Sequence, residues 1–163
     1  MIQAFERFLS RGFIDIIDAT DEEAARYTYD LSQKIIREDI TSFFRIEYPD
    51  LLIRIFRIIA DKPGILLDYK NFSNDLDIDQ RTLERYIYFL EEAFLIKKIY
   101  NYSPNLIKSE RKLKKIYLST PSFCSNLEIT GELFENYITT VLDLEYFYRV
   151  GTVEVDGVSI DTK

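Results

Sequence analysis

Histidine and tryptophan are absent from the 163 residues, and cysteine and methionine occur once each. Without histidine there is no His general base, no Ser-His or Cys-His nucleophile pair and no His-ligated metal site. Any catalysis has to run on carboxylates, lysine, tyrosine or a bound ion. A lone Cys124 excludes an intrachain disulfide, and the stretch NLEITGELFENYITTVL beyond it offers no metal-ligand spacing, which fits a reducing compartment. No apolar run approaches the roughly 20 residues that span a bilayer. The opening MIQAFERFLSRGF brings in charge at Glu6 and Arg7 and has neither an apolar h-region nor a cleavage pattern. The expected location is cytoplasmic, with no membrane partner.

What is there suits a folded chain. Apolar side chains make up 47% of it, ample for a packed core in one medium or two small domains. With 12 Tyr and 12 Phe, much of that core has to be aromatic, and some tyrosine rings should lie half-exposed with their hydroxyls in water. The net charge of −7 argues at first sight against a nucleic-acid partner. The charge is unevenly spread, however. Residues 51–118 hold 13 basic and 9 acidic side chains, whereas residues 1–50 hold 6 and 11 and residues 119–163 hold 2 and 8. The middle is the one basic block, and five of its bases fall within KSERKLKK.

Residues 3–10 read as a short helix ended near Gly12. DATDEEAARYTYDLSQKIIREDITSFF begins with Asp or Thr cap candidates and acids in its first turn, and continues with Tyr27, Leu31, Ile35 or Ile36, and Ile40 at helical spacing, which predicts a long amphipathic helix. DLLIRIFRIIADKPG places Leu52, Ile55, Phe56 and Ile59 on one stripe with Arg54 and Arg57 off it, and KPG stops it. ILLDY is a short β-like run and KNFSNDLDI is helical with a break. DQRTLERYIYFLEEAFLI is a longer helix capped by Asp79, with Leu83, Ile87, Leu90 and Phe94 on its apolar side. Tyr86, Tyr88 and Phe89 read as core and packing. Two strands, KKIYNYS and KLKKIYLS, then flank the basic loop PNLIKSER. Helix, short strand, helix, turn, longer helix, β-hairpin is the order of a winged helix-turn-helix. TGELFENYITTVLDL is a helix, and EYFYRVGTVEVDGV a hairpin whose loop has Gly151 at the first position of a type II′ turn.

These residues in this order resemble the C-terminal half of a large prokaryotic, mostly archaeal, family of AAA+ ATPase-like proteins whose tail is a domain of unknown function. The marks are FLSRGFID where that family has a Gly-Gly-Phe-Pro-Glu-like turn, IIREDI where it has an Arg-Asp pair, LERYIYFLEEAFLIKKI at the end of its winged helix, and then KKIYL, LFEN and EVD. The family's ATPase module has a P-loop; no G-x-x-x-x-G-K-[ST] occurs here, so ATP hydrolysis is not expected of this chain. Two departures stand out. Thr120 replaces an Asp common after the KIYF-like strand, and only four residues separate Asp156 from Asp161, fewer than the family has before its acid-x-Lys strand. The expected fold is α+β and predominantly helical: a helical segment over 1–45, a winged helix-turn-helix over 46–118, and a truncated, PD-(D/E)xK-like α/β remnant over 119–163.

A nuclease of that type needs two carboxylates to hold a hard cation by oxygen ligands, a helix acid, and a lysine to position the attacking water. Glu135 in LFEN would be the helix acid, Asp156 the first strand acid, and Asp161 and Lys163 the last pair. With so short a connection these four read as a non-functional remnant on the solvated face of a hairpin. No metal is expected, magnesium on Asp156 and Asp161 belonging to the nuclease alternative. For nucleic acid, Gln80, Arg81, Thr82 and Arg85 at the start of the Asp79-capped helix would meet phosphates or base edges, with Lys108, Arg111, Lys112 and Lys114 gripping the flanking backbone from the wing.

The expected function is therefore a non-catalytic module that binds double-stranded DNA or a partner protein such as an ATPase module. The alternatives are a metal-dependent nuclease and a protein-interaction winged helix without nucleic acid. No cofactor is expected in the chain, ATP entering only through an upstream module. An unpaired C-terminal strand edge makes a homodimer a further expected assembly.

Overall fold

The computed structural model describes residues 2–111, 113–125 and 130–160, with side chains undescribed at a few of these positions. Helix α1 (Ile2–Ser10) leads to a turn held by Arg11, whose buried guanidinium donates to the Ala19 carbonyl and to Asp21 Oδ1. Thr20 and Glu23 form a capping box at the start of α2 (Asp21–Lys34). The long helix expected here continues, but through a π-helical segment over Ile35–Ile40 before α3 (Thr41–Phe43) closes it. The wider turn puts both Ile36 and Ile40 in the core.

Pro49 opens α4 (Pro49–Asp61) at the position where a missing N–H costs least. Its stripe is buried as expected: Leu52, Ile55 and Ile59 fully, Phe56 almost so. Each such side chain contributes about 1.5–3 kcal/mol of transfer free energy, so one polar substitution at Ile55 should be severe. After Gly64, whose φ of +81° suits only glycine, β1 (Ile65–Leu67) runs into α5 (Tyr69–Leu76), capped by Asp68. Helix α6 (Gln80–Glu92) is capped by the Asp79 carboxylate on the Thr82 N–H.

Strands β2 (Ile96–Asn101) and β3 (Lys114–Leu118) follow, joined by a segment that contains helix α7 (Leu106–Arg111) where a plain basic loop was expected. Helix α8 (Gly131–Val141), capped by Thr130, precedes the hairpin of β4 (Tyr146–Val150) and β5 (Val153–Val158). Gly151 carries a φ of +61° in its turn, in keeping with the expected glycine position. The result is an α+β fold with one five-stranded sheet of order β1-β3-β2-β4-β5, in which only the β2–β4 pairing is parallel. The boundary expected near residue 118 is crossed by this continuous sheet.

One sheet face carries Leu67, Ile96, Ile116 and Leu118 into the main core with α4 and α6. The other carries Ile99, Tyr117 and Phe147, a smaller cluster beside α8. Two asparagine amides complete the backbone pairing. Asn136 accepts from the Leu118 N–H at 2.8 Å and donates to its carbonyl at 3.1 Å, at the level where β1 gives way to Gly64 and Pro63. Asn101 does the same for Arg149 of β4, both at 3.1 Å.

Two aromatic assignments are not met by burial. Tyr88 is 46% exposed although its ring packs beside Phe44 and Phe89, and Phe94, placed on the apolar side of its helix by spacing, is 82% exposed. The helix ends at Glu92, and Phe94 adopts a left-handed φ of +55° that turns its ring outward.

Candidate functional site

Lys115 lies on the interior strand β3, flanked in register by Leu66 on β1 and Ile99 on β2. Its side chain is only 6% exposed, and its Nζ meets three carboxylates: Glu135 Oε1 at 2.9 Å, Glu154 Oε1 at 2.5 Å and Asp156 Oδ1 at 2.8 Å. Arg149 Nη1 reaches the other Glu154 oxygen at 3.3 Å, the Tyr117 hydroxyl donates to Glu135, and the Phe147 ring lies 5.5 Å from the ammonium. Two strands separate β3 from β5, about 14 Å in a flat sheet at ordinary spacing. Glu154 and Asp156 can therefore reach Lys115 only because the sheet curls round this face.

The electrostatics are those of fixed charges. Burial works against the Lys115 ammonium, but the hydrogen bonds to Asp156, Glu154 and Glu135 outweigh it and hold its pKa above the ordinary lysine value. Burial, and then the bond to Glu135, push the Tyr117 hydroxyl up as well. An ammonium held charged is no nucleophile, and a phenol held protonated is no base.

Of the four residues expected at a nuclease centre, Glu135 and Asp156 are brought together, whereas Asp161 and Lys163 lie outside the described residues. What joins the pair is Lys115, a residue of the KSERKLKK run that was not among the expected site residues. A divalent ion at the same point would have to displace that buried ammonium, so the residues present do not fit a metal. Among the described residues no other group of acids or Cys is arranged to hold one either.

The basic side chains expected to meet nucleic acid are distributed differently. Arg81 and Arg85 are exposed on α6 one turn apart, and Lys108 is exposed on α7; none of the three has an ion-pair partner among the described residues. Gln80 instead donates to Glu84 Oε1 at 2.7 Å, and the Thr82 hydroxyl and N–H both serve Asp79, which holds that carboxyl below its usual range. Lys114 stands 5.5 Å from the Tyr100 ring centroid. Lys112 lies outside the described residues, and of Arg111 only the backbone is described.

The fold and these two surfaces define an α+β protein with a helix-rich body, an exposed basic helix start and a buried lysine ringed by three partly exposed carboxylates. The model of a family described as Domain of unknown function (DUF8612) matches residues 3–133, and the chain belongs to that family. The matched segment includes the basic surface, Lys115 and Tyr117, and stops short of the three carboxylates. No curated protein and no solved structure matches the chain. Among the described residues no helix is long and apolar enough to cross a membrane.

Proposed function

We propose that residues 46–118 act as a winged helix-turn-helix that binds duplex DNA through the start of α6, as a non-catalytic tail module. One observation carries this reading. In the order α4, β1, α5, α6, β2, β3, with antiparallel strand order β1-β3-β2, the second helix of the turn presents Arg81 and Arg85 exposed and without an ion pair among the described residues, while Lys97, Lys98 and Lys115 of the same block are tied into ion pairs. Phosphate contact is favoured over base reading, because Gln80 and Thr82 spend their polar groups within the helix. The resemblance noted above makes an ATPase module the expected companion of this tail.

Fluorescence anisotropy with a labelled duplex at low salt tests the proposal. Neutralising roughly four phosphates gives a log-log salt slope of about −3.6. Arg81→Ala with Arg85→Ala should weaken binding several-fold, and Glu92→Gln should not. Absence of binding at high protein concentration would favour a winged helix that contacts protein alone.

The nuclease alternative is the weaker one. Glu135 and Asp156 do converge, but on a lysine. DNA cleavage with Mg²⁺ or Mn²⁺ that is lost in Asp156→Ala would restore it.

A further inference from the structure

Helix α8 is turned the opposite way from an ordinary surface helix. Its buried side chains include Asn136 and Thr139 beside Leu133, while Phe134 is 50% exposed, Val141 58% and Leu142, just past its end, 62%. With half-buried Ile138 these fall at i, i+4, i+7 and i+8, the spacing of a stripe that normally faces a core. The inversion has a cause in the fold. The inward side is committed to polar work, Glu135 on Lys115 and Asn136 on the Leu118 backbone, which leaves the apolar residues outside.

This stripe borders a groove of about 750 Å³ between α8 and the end of β5, to which Leu144, Gly157 and Ser159 also contribute. Among the described residues, every charged side chain lining the groove is an acid: Glu132, Glu135 and Asp156. Two of these belong to the cluster in which, among the described residues, three carboxylates pair with two cations, Lys115 and Arg149, so its excess charge is negative.

We infer that this groove receives a basic amphipathic helix of a partner protein. Apolar side chains of that helix would pack on Phe134, Ile138 and Leu142, and its lysine or arginine side chains would meet Glu132 and Asp156. A second copy of the chain is a poor occupant, because it would set the same acids against one another. The chain's own α4, amphipathic with Arg54 and Arg57 off its stripe, already has that stripe buried in the core.

The chain has no tryptophan, so a probe peptide with a single Trp reports alone. The probe is a synthetic helix of about 18 residues, leucine on one face and lysine on the other, with a leucine-glutamate counterpart as control. Saturable fluorescence change is expected with the leucine-lysine peptide and binding at least about tenfold weaker with the control. Leu142→Lys and Glu132→Lys, both at exposed positions, should each weaken it about tenfold with unchanged circular dichroism. Equal binding of both peptides, full affinity in both variants, or no saturable binding would overturn the inference. So would a dimer in sedimentation abolished by Leu142→Lys, which assigns the face to a second copy, or binding to lipid vesicles in place of the peptide.

Discussion

Lys115 Nζ stands 2.8 Å from Asp156 Oδ1, joining β3 to β5 across 41 residues of chain. Through the same nitrogen β3 is also tied to α8, so one side chain joins three elements, of which only β3 contributes to the smaller hydrophobic cluster. Lys115→Met should therefore cost more than its lost packing, because it strands three carboxylates. Glu135 and Glu154 keep partial contact with water and Asp156 is 57% exposed, which places the expected loss at about 2–3 kcal/mol, below the range for a fully buried pair. Adding Glu154→Gln and Asp156→Asn to Lys115→Met should recover part of it. Urea denaturation of the single and triple variants checks this; a triple variant weaker than the single would refute the account.

Alkaline pH should weaken the fold through the same residues. Lys115 and Tyr117 both have folded pKa values raised above their ordinary values of about 10.4 and 10, and burial raises Tyr69 likewise, Glu84 adding to it. In each case the folded state keeps a proton that the unfolded chain releases, so the contribution is complete below about pH 10 and is lost progressively above it. The urea midpoint should fall from pH 9 to 11, and Tyr117→Phe should make the fall shallower.

Asn136 stands in for a missing strand. Replacing it by Ala leaves the buried Leu118 N–H and carbonyl without partners, at a cost of about 2–3 kcal/mol. Faster hydrogen exchange at the Leu118 amide, with that of Ile96 little changed, is the specific signature. A uniform loss of protection across the sheet would point to general loosening instead.

How far the sequence reveals this architecture depends on the range of the forces involved. The stripe of α4 and the caps of α2 and α6 are local, and their residues name them. The π-helical turn was half visible, since Ile35 and Ile36 fitted the helical spacing equally well before Ile40 and an enlarged turn is what lets a stripe shift by one. Helix α7 is six residues long, too short to announce itself by periodicity. Lys115 is one of five bases in KSERKLKK, and nothing in that run sets it apart; alternation along KLKKIYLS says only that it lies opposite Ile116 and Leu118. That this opposite face is itself covered follows from the sheet curl and from α8, neither of which is encoded near residue 115. The inverted polarity of α8 is hidden for the same reason: Glu135 and Asn136 find partners 18 to 20 residues away.

Phe94 supplies the last prediction. The Phe94 N–H donates to the Glu91 carbonyl and the Leu95 N–H to that of Leu90, both at 3.0 Å, while Leu90 and Leu95 are both buried. That is the helix ending in which glycine is the usual residue at the left-handed position, yet here a phenylalanine holds it at a φ of +55°. A side chain in this conformation costs about 1–2 kcal/mol. Glycine would relieve the strain but lose about 0.5–1 kcal/mol through greater freedom of the unfolded chain. At 82% exposure the ring has little packing to forfeit, so Phe94→Gly should be net stabilising by about 0.5–1 kcal/mol, a rise in Tm of about 1–4 °C. Phe94→Ala keeps the β-carbon and should show no such gain. Thermal melts of the two variants separate the backbone effect from loss of the ring: a Phe94→Gly protein that melts below the Ala variant would refute the relief of backbone strain, and both variants melting below the parent protein would mean that the ring contributes packing its exposure does not reveal.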